Sequence, residues 1–127
     1  MKYLKPILTW VFALILIAAG VNHFINPKFY AAIIPAWLPM YTVNYITGLI
    51  EIGLGIGLII KKSKRLSAIG VMILMILFLP LHFIDALKVH PAIGSHLIAY
   101  TRFAFQFILI YWGWYMIPAV SIKNANN

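Results

Sequence analysis

The chain has no cysteine and only two acidic residues, Glu51 and Asp85, among its 127. Without cysteine there is no disulfide, no dithiol redox pair and no thiolate-held metal. Charged residues of both signs amount to 9%, against roughly 25% in a soluble domain, so water is not the solvent this sequence suits. Hydrophobic residues supply 64%, and at this length a separate soluble domain beside a membrane bundle is not expected. The formal charge of +8 comes from ten basic residues. Four of them form Lys61-Lys62-Ser63-Lys64-Arg65 between two apolar runs, where basic residues set orientation and touch anionic lipid. The expected partner is the lipid bilayer, not nucleic acid.

Four apolar stretches cover about residues 7–24, 43–60, 66–84 and 97–117, each near the ~20 residues that cross a ~30 Å hydrocarbon core. Pro6 suits a first helical turn, while Asn26-Pro27 and Pro118 suit helix stops. The first stretch also carries signal-peptide features, with Lys2 and Lys5 ahead of a run ending in Ala18-Ala19-Gly20. Polar and aromatic residues follow it directly, so a retained helix is expected. The expected fold class is all-α: a single-domain, antiparallel four-helix bundle in the membrane. Lys2, Lys5, the Lys61–Arg65 cluster and Lys123 fall on one side, Lys28 and Lys88 on the other. The positive-inside rule then puts both termini of this multi-pass protein in the cytoplasm.

The few polar residues inside these stretches carry the functional signal. An ionisable group in hydrocarbon costs at least about 2.5–3.5 kcal/mol, so it faces a partner or a wet cavity. At ~1.5 Å of rise per residue, Glu51 lies roughly 12 Å below the outer end of the second helix and Arg102 about 8 Å down the fourth. Gln106 is one turn beyond Arg102 on the same face, His82 and Asp85 share a face of the third helix, and Asn22-His23 close the first. All lie in the outer half, which points to one polar cavity there. Arg102 and Glu51 are expected to contact each other directly or through one water, since neither has another counter-charge as deep. Gly48 and Gly55 share the Glu51 side and admit a neighbouring backbone. Gly53 and Gly57 form a small-xxx-small pair on nearly the opposite side, suited to another helix, a second protomer or a membrane-protein partner. Pro80 is expected to kink the third helix before His82. The segment from Asn26 to Thr42 is apolar where a solvated loop would be rich in Ser, Asn, Asp and Gly. It is expected to lie in the interface or close over the cavity, with Trp37 near the mouth.

Gly20-Val21-Asn22-His23-Phe24, Ile34-Pro35-Ala36-Trp37-Leu38-Pro39 and Gly48-Leu49-Ile50-Glu51 resemble the DoxX-like family. The resemblance continues through Lys61–Leu66 and Arg102-Phe103-Ala104-Phe105-Gln106. It implies a small bacterial four-helix membrane protein facing quinone or lipid, some relatives being membrane subunits of thiosulfate:quinone oxidoreductase and others being linked to redox maturation. Dithiol chemistry does not carry over, because the chain has no cysteine.

The expected ligand-binding residues are His23, Glu51, His82, Arg102 and Gln106, taking a hydrophobic small molecule such as a quinone. Arg102 and Gln106 would donate to a carbonyl, with Glu51 or His23 as proton acceptor; no catalytic residue is assigned. Each position also has a structural reading: Glu51–Arg102 as an ion pair joining two helices, His82–Asp85 as an interfacial pair, His23 as a helix-end residue. His90 and His96 fall on an outer loop. A metal on His23, His82, Asp85 and His96 lacks the paired spacing of a known motif, and an axial haem on His23 and His82 lacks one too, so neither cofactor is expected. The alternative function is a non-catalytic membrane subunit or assembly partner of a larger complex. A transporter fits less well, as four short spans show no inverted repeat.

Overall fold

The structure is a computed structural model and describes residues 2–119; Lys123, counted above toward orientation, lies outside them. The described residues form five helices: α1 (Leu4–Ile25), α2 (Pro27–Ala31), α3 (Met40–Ile59), α4 (Lys64–Leu87) and α5 (His96–Met116). Three of them, α1, α3 and α4, are long and apolar enough to cross a membrane. The 21-residue α5 is not among those three, because Arg102, Gln106, Thr101 and His96 dilute its apolar residues.

Helix ends follow local chemistry. Pro6 sits in the first turn of α1, where its missing N–H has no helical partner to lose. The Asn26 N–H closes the last turn onto the Asn22 carbonyl at 2.8 Å, and Pro27 starts α2 at once. Ser63 precedes α4, but its hydroxyl donates to the Gly57 carbonyl at 2.9 Å instead of capping α4, which holds the α3–α4 turn tight. Pro80 is accommodated inside α4, which continues to Leu87.

Packing is pairwise. α1 runs along α3 and α4 along α5; α3 also meets α4, while α1 touches α5 only lightly. The α1–α3 contact is backbone-close: a Cβ on Gly20 would stand 2.7 Å from the Gly48 carbonyl oxygen, and one on Gly55 2.9 Å from that of Ala13. Gly57, by contrast, faces Ser67 of α4, and around Gly53 nothing lies within 4 Å. The apolar core gathers Phe12, Leu16, Leu58, Val71, Met75 and Met116 among others. Leu58, Val71 and Met116 place most of it toward the Lys61–Arg65 turn, where Lys5 donates to the Ile117 carbonyl at 2.9 Å. The opposite half of the molecule is less filled.

Candidate functional site

In that less-filled half lies a cavity of about 260 Å³, between the α1–α3 pair and the α4–α5 pair. Its wall is aliphatic and aromatic, from Phe12, Leu16, Phe78, Leu81 and Leu109, among others. Polar side chains enter it at His23 and Glu51 on one side, at His82 and Gln106 on the other, and at Thr47 and Tyr30. Four of the five expected site residues thus line one space. Arg102 does not line it.

The direct Glu51–Arg102 contact expected from depth is not formed. Arg102 Nη2 donates to Asp85 Oδ2, and Glu51 instead faces His23, with Oε2 3.4 Å from Nε2. The reason is helix pairing. The glycines of α3 draw Glu51 against α1, and Arg102 reaches back along α5 toward its loop end, as long cationic side chains do. Asp85, expected to be solvated at the interface, is 1% exposed. It also accepts the Ala92 N–H at 2.8 Å and lies 3.5 Å from Lys88 Nζ, so one carboxylate joins α4, α5 and the loop between them. It does not pair with His82.

His23 is built into place from three directions. Asn44 Nδ2 donates to the His23 carbonyl at 3.0 Å, which turns Asn44 Oδ1 toward His23 Nδ1. Tyr30 of α2 stacks on the imidazole with centroids 3.7 Å apart and planes 14° from parallel. The Tyr30 hydroxyl accepts from Asn22 Nδ2 at 3.0 Å and donates to the Ala19 carbonyl at 3.4 Å. Burial raises the Tyr30 phenol above its ordinary range, so it keeps that proton. The apolar segment after α1 closes over the cavity through Tyr30, Ile33 and Ile34; Trp37, expected near the mouth, is 81% exposed and does not line it.

On the far wall, Gln106 Nε2 donates to the Met75 carbonyl at 2.7 Å, tying α5 to α4. His82 Nδ1 is buried with no hydrogen-bond partner among the described residues, and Glu51 Oε2, although 3.4 Å from His23 Nε2, makes no hydrogen bond there either. His96 lies on the exterior, its Nε2 2.9 Å from the Lys88 carbonyl, apart from His23. Among the described residues no three His, Cys, Asp or Glu side chains group closely enough to share a metal ion.

Sequence reasoning missed Asn44 and the stacking role of Tyr30. Asn44 was findable: Asn44, Gly48, Glu51 and Gly55 recur at i, i+4, i+7 and i+11, one face of one helix. Tyr30 was not, because only the fold brings α2 over the end of α1.

Fold and site together define an all-helical chain whose apolar-walled cavity carries two buried polar poles. The chain belongs to the family described as Domain of unknown function (DUF8561), whose model matches residues 12–117. No curated protein and no solved structure matches it.

Proposed function

We propose that this chain is a multi-pass inner-membrane protein that binds, or processes by electron transfer, a hydrophobic small molecule such as a quinone. The observation that carries the reading is the cavity: about 260 Å³ of apolar wall with polar side chains at two places. A dry apolar cavity of about 150 Å³ already holds a benzene ring, so a substituted single ring is the matching size. Buried polar atoms without partners, at Glu51 and His82, are costly unless a ligand or water meets them. Ile15 both lines the cavity and is 52% exposed, midway along α1. It marks a side opening that faces acyl chains rather than water, the natural route for a lipid-soluble ring.

In this reading α5 is the fourth span of an antiparallel bundle with both termini cytoplasmic. Its 21 residues reach about 31 Å at 1.5 Å of rise each, its outward side chains include Phe105, Phe107 and Ile108, and its one cation within that length is held by Asp85. The DoxX-like resemblance belongs to the same proposal. One observation favours a second reading, a membrane subunit docked on a partner: Gly53 is open, and Ile46, Leu49, Ile50 and Ile56 beside it are exposed along one face of α3.

Native mass spectrometry of gently extracted protein separates the two. A co-purifying small molecule that is lost in Ala19→Phe, which puts a ring into the cavity, is the expected result. A bound protein with no small molecule would favour the second reading.

A further inference from the structure

The His23–Glu51 pair sits on the cavity wall, and Asn44 constrains how many protons it holds. The Asn44 amide cannot turn over. Its Nδ2 donates to the buried His23 carbonyl at 3.0 Å, and reversing it would set two acceptor oxygens against each other. Asn44 Oδ1 therefore faces His23 Nδ1, and Nδ1 must carry a hydrogen. That leaves Nε2, 3.4 Å from Glu51 Oε2, as the variable nitrogen.

Three proton counts are then open to the pair. With none, a nitrogen lone pair faces an unneutralised carboxylate that is 5% exposed, a charge the apolar surroundings do not support. With two, an imidazolium faces a protonated carboxyl, again a net buried charge. With one, the pair is neutral overall, either as imidazolium and carboxylate or as imidazole and carboxylic acid. Tyr30 stacks on the imidazole and Asn44 Oδ1 meets Nδ1, which together favour this orientation of the ring over one with Nδ1 and Nε2 exchanged.

We infer that His23 and Glu51 form a one-proton pair, set by Asn44, that hydrogen-bonds to the oxygen of a neutral ring ligand in either its carbonyl or its hydroxyl form. As carboxylate, Glu51 accepts from a ligand hydroxyl; as carboxylic acid with its one proton on Oε1, the oxygen turned away from His23, it donates to a ligand carbonyl, with Oε2 left 3.4 Å from Nε2 and making no hydrogen bond to it. The pair's net charge is zero in both cases, so one site serves both ligand forms without a buried charge appearing or vanishing. Glu51 is the contacting residue, and Asn44 is a positioning residue acting through His23. This inference rests on the cavity reading above, from which its test is separable.

The test uses three rings of one carbon skeleton: tetramethylbenzoquinone, its hydroquinone and tetramethylbenzene. Their affinities for the whole chain in lipid nanodiscs are measured for the wild type, Glu51→Met and Asn44→Leu. In the wild type both oxygenated rings are expected to bind about tenfold or more tighter than the hydrocarbon, the value of one hydrogen bond to a charged or strongly polar group. Both variants lose that preference and keep the hydrocarbon affinity, which also shows that they fold. Nitrogen NMR of His23 supplies the readout that a merely structural Asn44 would not move: Nδ1 protonated in the wild type, and a mixture of ring tautomers in Asn44→Leu. Hydrocarbon binding with the oxygen preference unchanged in the variants would overturn the one-proton pair and leave the cavity reading standing. So would a wild-type His23 with bare Nδ1. Failure of all three rings to bind the wild type would remove both.

Discussion

Asp85 and Arg102 show how unevenly a charge pair can depend on its two members. Asp85 is almost fully buried and serves Arg102, the Ala92 amide and Lys88, while the Arg102 side chain is 22% exposed and has Asp85 as its hydrogen-bond partner. Losing Asp85 strands a guanidinium and a backbone N–H together; losing Arg102 strands only the carboxylate, which keeps the other two donors. Breaking a buried pair costs about 3–5 kcal/mol. Asp85→Leu is expected near that range, with Arg102→Met below it because of its partial exposure. The Asp85→Leu/Arg102→Met double change should cost less than the sum by about 1–2 kcal/mol, as coupled residues do. Thermal unfolding in detergent checks this, and strictly additive losses would mean the contact contributes nothing. At the same scale, Tyr30→Leu should remove the ring stacked on His23 and leave Asn22 Nδ2 without its 3.0 Å acceptor. The measurable consequence is faster deuterium exchange at the amides of α2 with little change at α4 and α5.

Among the elements, α3 is the most differentiated, because its glycines do unlike things. A Cβ on Gly48 would stand 2.8 Å from the Gly20 carbonyl oxygen and from His23 Cβ, whereas at Gly53 it would meet open space. Gly53→Ala should therefore leave stability unchanged or raise it by up to about 1 kcal/mol, the helix-propensity gain. Gly48→Ala should lower it despite the same gain, since α1 and α3 must part; a thermal melt of the two variants reads the opposite signs. This division was partly legible beforehand. Spacing put Gly48 and Gly55 on the Glu51 side, which fixed the face of α3 that another backbone approaches. It did not say which helix approaches, so the partner of Glu51 came out as Arg102 instead of His23. Depth along each helix is written in the sequence; rotation and neighbour choice are not. The ends of the helices were legible to within a few residues because Asn26-Pro27 and Pro118 punctuate them, and Pro80, read as a kink within the third helix, does lie inside a continuous α4.

For the molecule as a whole, the proposed orientation makes a sharp labelling prediction. The chain has no cysteine, so single cysteines report without background. One introduced at Val89, beside Lys88, should react with a membrane-impermeant thiol reagent in intact cells, and one at Ser63 should react only after lysis. The reverse pattern would invert the topology while leaving the cavity in place. The molecule is also asymmetric along the helices: Leu58, Val71 and Met116 fill one half, and the other half holds the cavity. That asymmetry bears on α4, which forms one cavity wall. Pro80 gives no N–H to the Ile76 carbonyl, and one residue earlier the Met75 carbonyl is engaged by Gln106 from the side. One rung of the α4 ladder is thus missing at the level where Phe78 and Leu81 line the space. In the ligand-binding reading proposed above, that missing rung lets the α4 wall bend more easily than a continuous helix would, so rings of differing thickness are expected to be taken up by a small flexing of α4, with no side chain needing to be replaced.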